Sequence, residues 1–220
     1  MTGSLLISTS LIALLGVALL VLARLEPGHP HISVWGWSHV LLALGLTLGV
    51  ALAPPDITSA HYKAQATAAT AAIIASLALQ LAGAAHYGGR PWRWRIIAPL
   101  FGALLGFILA LALVQQRYAV VAAAVVLTGG AWLAAAWLWK AGARGERFVA
   151  ACFVASGLVH LSGPLLDPLA RSSITHILGT YVQAVLAMAL ILLSVRRAHH
   201  ETQQVNARLR QLHEQSMQGL

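Results

Sequence analysis

Charge is scarce in this sequence. Only 9% of its 220 residues are charged, with six acids in all, where a soluble domain carries about a quarter. Too little polar surface exists to coat a water-facing globule, so lipid is the expected solvent. The single cysteine, Cys152, lies in an apolar run, which excludes a disulfide framework and a thiolate metal site. The only lysines, Lys63 and Lys140, fall at the ends of apolar runs, so no lysine stands in the last apolar segment to form a Schiff base with retinal. Glu26, Asp56, Glu146 and Asp167 all lie at loops or borders. Ion-driven transport, which places acids near the bilayer midplane, therefore has no candidates, and no inverted repeat of broken helices is evident. HExxH, GxSxG and phosphate-loop motifs are missing too, so this segment is not expected to be an enzyme.

What the sequence does have is apolar length. Hydrophobic residues make up 59% of the chain and its mean hydropathy is +0.76. Runs at roughly 4–23, 33–53, 65–85, 96–115, 118–139, 147–166 and 173–195 each approach the ~20 residues that cross a bilayer. Breaks rich in Gly, Pro and Arg separate them, such as Glu26-Pro27-Gly28 and Gly88-Gly89-Arg90-Pro91. The first run lacks a basic start and a cleavage site, and reads as a retained helix. The expected fold is all-α: an integral membrane bundle of seven transmembrane helices.

The bases orient it. With the N-terminus outside, inner loops and helix ends hold Arg24, Arg90, Arg93, Arg95, Lys140, Arg144, Arg147, Arg196 and Arg197, and the outer side holds Lys63, Arg117 and Arg171. Nine against three is a positive-inside bias, with the C-terminus cytoplasmic. Charge confined to helix ends also argues against nucleic-acid binding. Trp35, Trp37, Trp92, Trp94, Trp137 and Trp139 are expected as an interfacial belt at the same ends. Gly45-x-x-x-Gly49 and Gly102-x-x-x-Gly106 read as close helix packing within the bundle, with a dimer contact as the alternative. Repeated alanines between Ala64 and Ala85 make the third helix slim and suit it to a central position.

After Arg196-Arg197 the composition turns polar. Val195, Ala198, Thr202, Val205, Leu209, Leu212 and Ser216 follow spacings of three and four, a heptad seam continuing about three heptads beyond the last span. Residues 1–195 are thus expected as a transmembrane domain, and 196–220 as a cytoplasmic signalling helix that pairs with a second copy. A single amphipathic helix on the inner leaflet is the alternative. The uncapped end suggests that an output domain follows in a longer protein.

Ten histidines against six acids raise a metal or haem question. His29, His31, His199, His200 and His213 are expected to face water. His160 and His176 lie towards the outer ends of the sixth and seventh spans, which a short loop joins. Ser156, His160 and Asp167 share one helical face, and His176, Thr180 and Gln183 another. If the faces meet, they collect imidazole, carboxylate, hydroxyl and amide, to which His61 could add a third imidazole. Polar groups in hydrocarbon are costly and turn towards partners, which makes them candidates for a ligand site. Three readings stay open: bis-histidine haem b, a transition metal held by imidazoles and Asp167, or plain hydrogen bonding between helices. His39 and His86 form a second candidate pair near the opposite face. Ser76 and Gln80, one turn apart in the third run, are expected to bond across helices or touch a ligand.

The opening helix, Arg24-Leu25-Glu26-Pro27, Trp35-Gly36-Trp37 and Leu42-Ala43-Leu44-Gly45 resemble the N-terminal membrane region of bacterial sensor proteins that carry PAS, GGDEF and EAL domains or a histidine kinase. The ending Leu212-His213-Glu214-Gln215-Ser216-Met217 is similar to the lead-in of a PAS domain in such proteins. The MHYT input domain is matched only by Ala60-His61-Tyr62 and Ala85-His86-Tyr87, without its methionine and threonine. The resemblance implies a sensory input module in the bacterial inner membrane, homodimeric and joined to a cyclase, phosphodiesterase or kinase output domain. The other reading is a cytochrome b-type electron-transfer protein.

Overall fold

The computed structural model describes residues 2–51, 60–90, 93–114, 116–142, 144–162 and 176–218. Every regular element among them is helical: α1 (Thr2–Leu25), α2 (Pro30–Leu46), α3 (Ala60–Tyr87), α4 (Trp94–Val114), α5 (Gln116–Ala141), α6 (Arg144–Ser162) and α7 (His176–Gln218). The seven helices fall where the apolar runs predict them. Five contain segments long and apolar enough to cross a membrane: Leu6–Leu25, Pro30–Gly49, Ala64–Tyr87, Tyr118–Lys140 and the body of α7 from Ile177. The α4 apolar stretch, Ile97–Ala112, is shorter. In α6 the first turn carries Arg144, Glu146 and Arg147, which shortens its apolar part.

Local chemistry sets the helix ends. Pro30 opens α2 at a position where its missing N–H costs nothing. At the other end Thr47 turns its hydroxyl onto the Ala43 carbonyl, 2.8 Å away, and Thr47–Ala51 widens into a π turn. Gln65 of α3 reaches this turn, its Nε2 donating to Leu48 O at 2.6 Å. Gly89, at φ +67°, ends α3. Arg90 N then donates back to Ala85 O at 2.8 Å, the six-to-one bond of a Schellman motif, which a side chain at Gly89 would strain.

The helices form a closed ring in the order α1, α2, α3, α5, α6, α7, with α4 outside against α3 and α5. The largest of their apolar clusters joins Trp35, Leu81, Leu138, Phe153, Leu186 and Leu190. The ring's outer face carries Ile7, Leu14, Val21, Leu100 and Leu192 exposed, an apolar surface of the kind that suits lipid. Of the five span-length segments, the Ala-rich one in α3 is the most buried, at 61%, as its slim side chains predict. A methyl on Gly45 would meet Ile73 at 2.7 Å and Ala69 O at 3.0 Å, so Gly45 brings α2 onto α3. Gly102 and Gly106 of α4 have open space instead.

Two sequence expectations need correction. Trp35 does not sit in an interfacial belt; it is wholly buried, and its indole fills the space left by Gly83, where a methyl would overlap it. His31 does not face water; it is 3% exposed, because the tight Pro27-Gly28 turn swings the start of α2 beneath Tyr87. Trp37 and Trp139 do remain exposed.

Candidate functional site

The faces of α6 and α7 that carry the predicted polar residues meet. Gln183 Nε2 donates to Ser156 Oγ at 2.8 Å across the two helices. Ser156 Oγ in turn lies 3.5 Å from His160 Nε2, one turn along α6. Thr180, one turn before Gln183, is buried. Just beside this chain, Thr128 of α5 donates to Gly157 O at 2.9 Å. The pair Ser76 and Gln80 of α3 arrives from the far side of the ring, and Ser76, Gln80, Ser156, His160 and Gln183 line one small cavity walled by Leu42, Ile73, Leu77, Leu127 and Ala131. The sequence places the two polar groups on separate helices; the ring closure brings them together. Asp167 and the side chain of His176 lie outside the described residues, and His61 is exposed at the start of α3, away from the cavity.

The second histidine pair behaves differently. His39 is wholly buried, its Nδ1 2.9 Å from Trp35 O and 3.2 Å from Ser38 Oγ. Its Nε2 has no hydrogen-bond partner, and its Cβ packs beside Gly16 of α1. His86 is half-buried on the last turn of α3.

The donor set can be tested against the proposed cofactors. The cavity offers one imidazole, hydroxyls and two amides, and the space open to a water centre is about 10 Å³. A porphyrin does not fit there. Among the described residues no group of three or more His, Cys, Asp or Glu side chains is arranged to hold a metal ion.

A larger cleft lies at the end of the bundle where α7 leaves it. It measures about 580 Å³ and is lined by residues that include Tyr87, Glu146, Arg196, Arg197, His200 and Glu201. Here four elements are tied together. Tyr87 Oη donates to Glu146 Oε1 of α6 at 2.6 Å. Arg197 of α7 donates through Nη1 to Tyr87 O at 2.7 Å and sets its guanidinium 4.7 Å from the centre of the Tyr87 ring. Its Nε donates to Glu201 at 3.0 Å, and the other oxygen of Glu201 lies 3.4 Å from His29 Nε2 in the α1–α2 turn. Beneath this, His31 meets the edges of Trp35 and Tyr87, each with ring centres 5.2 Å apart, and Trp35 stacks on Tyr87 at 5.8 Å. We call this the exit clamp. Sequence reasoning missed it because its members are spread from residue 29 to residue 201 and, beyond the i,i+4 pair Arg197 and Glu201, no spacing rule links them. The sole signal is the concentration of aromatic and basic residues at alternate helix ends. Arg90 over Trp137 and Arg147 over Trp139 extend the same pattern around the rim.

α7 connects the two sites. It is unbroken over 43 residues, about 64 Å at 1.5 Å per residue. Ala198, a predicted seam residue, is buried against the bundle at 7% exposure, so the free seam begins beyond it. Val205, Leu209 and Leu212 are 55%, 59% and 62% exposed. No protein-family model, no curated protein and no solved structure matches this chain.

Proposed function

We propose that this chain is the sensory input module of a bacterial inner-membrane signalling protein. In this reading seven helices cross the bilayer, with the N-terminus outside and the C-terminus in the cytoplasm. The bundle detects a ligand or redox stimulus and passes it through paired exit helices to an output domain of the diguanylate cyclase, phosphodiesterase or histidine kinase type. The continuity of α7 carries the proposal: one rod joins the polar contacts of Gln183 to the exposed apolar seam at Val205, Leu209 and Leu212. Exposed Val and Leu at three-four spacing on a polar stalk are what a second copy would cover. The gathering of Arg90, Arg147, Arg196 and Arg197 around the exit clamp agrees with a cytoplasmic face. A stimulus moves such a rod only by binding one bundle arrangement better than another.

The test is disulfide cross-linking in native membranes. With Cys152→Ser as background, Val205→Cys and Leu209→Cys should cross-link between copies, and Asn206→Cys and Ala207→Cys should do so poorly. Adding Gln183→Leu should change the yield at 205 and 209. Equal yields at all four positions would refute the seam. Yields indifferent to Gln183 would refute transmission along α7.

A further inference from the structure

The central cavity has an unmet requirement. Gln183 is 5% exposed, and its two amide atoms are treated differently: Nε2 donates to Ser156, whereas Oε1 has no hydrogen-bond partner at all. A buried carbonyl oxygen without a donor is costly, and native proteins seldom leave one. The oxygen belongs to a side chain lining a cavity whose open space, about 10 Å³, is close to what one water molecule needs. Five polar side chains line that space, more than the two to four partners an internal water takes. The rest of the lining is apolar: Leu42, Ile73, Leu77, Leu127 and Ala131.

We infer that this cavity is a binding site for one water-sized hydrogen-bond donor, held between Gln183 Oε1 of α7 and the polar side chains of α3 and α6. Water is the occupant that the geometry selects. It can donate one hydrogen to Gln183 Oε1 and still offer a second hydrogen and two lone pairs to Ser76, Gln80 or His160. At the level of the cavity the exit helix is then bound to α6 directly, through Gln183 and Ser156, but to Ser76 and Gln80 of α3 through an exchangeable molecule. The site stands whether or not the chain signals, since it follows from an unpaired oxygen and a space of matching size.

A map of the full chain in lipid nanodiscs at a resolution that shows waters is the direct test. Density for one atom at about 2.7–3.2 Å from Gln183 Oε1 is expected. An empty cavity, a protein donor on Oε1, or density too large for one water-sized molecule each overturns the assignment.

Discussion

The hydrogen bond from Tyr87 to Glu146 should be the strongest single tie in the exit clamp, and a double-mutant cycle can weigh it. It is short, 2.6 Å, and joins α3 to α6 across 59 residues of sequence. Its acceptor is a carboxylate in a half-buried position. Bonds to charged groups contribute about 1.5–3 kcal/mol, more than neutral ones. Tyr87→Phe removes only the hydroxyl. The ring stays stacked on Trp35, edge-on to His31 and beneath Arg197, so apolar packing is unchanged. Glu146→Gln keeps shape and removes charge. We expect each single change to cost about 1.5–3 kcal/mol, or about 3–12 °C in Tm, with a coupling of at least about 1 kcal/mol between them. The protein offers its own reporter, since Cys152 is the only thiol and is buried. A dye that fluoresces on reaction with thiols therefore reads unfolding directly in detergent. Additive losses within about 0.5 kcal/mol would show that the two side chains do not act as a pair, and the clamp reasoning would fail.

Other consequences are open to simple measurements. Trp35→Ala should lower stability by about 3–5 kcal/mol, because a wholly buried indole is lost from the core; a loss below about 1 kcal/mol would mean that Trp35 is not seated against Gly83. Arg197→Lys should retain charge but lose the paired contacts to Tyr87 O and Glu201, so seam cross-linking at Leu209 should change; an unchanged pattern would separate the clamp from the stalk. Purified protein should show no Soret band that depends on His160, because the cavity beside His160 has no room for a porphyrin. A Soret band abolished by His160→Ala would overturn that inference and favour the electron-transfer reading.

Much of this arrangement was legible in the sequence, because membrane helices carry their own arithmetic. Apolar length and loop punctuation locate all seven helices, and i, i+4 spacing puts Ser156 with His160 and Ser76 with Gln80. What spacing cannot show is which helices become neighbours. Nothing local says that α3 faces α6 and α7 across the ring, so two polar pairs that look separate in the sequence prove to line one cavity. Trp35 and His31 misled for a related reason. Trp and His near a helix end usually mark the interface or water, but Gly83 opens a slot for the indole and Tyr87 covers the imidazole. Both determinants lie some fifty residues away on α3.

The two sites together constrain how α7 can move. Near its start the helix is tied through Gln183 to Ser156 of α6; near residue 197 it is tied through Arg197 to the α3 end and through Glu201 to the α1–α2 turn. The interval of 14 residues from Gln183 to Arg197 is about 21 Å of helix, packed on α6 and α1. Sliding α7 along its axis would break all three ties at once. Rotation about the clamp is less costly: the Arg197 guanidinium can stay over the Tyr87 ring while the Gln183–Ser156 and Glu201–His29 contacts change. A rotation also re-aims Val205, Leu209 and Leu212 without lengthening the rod. Cross-linking should distinguish the two motions. On adding Gln183→Leu, rotation should shift yield from 205 and 209 towards their immediate neighbours in sequence. Sliding would instead shift it by three or four positions, and that outcome would refute the clamp as a pivot.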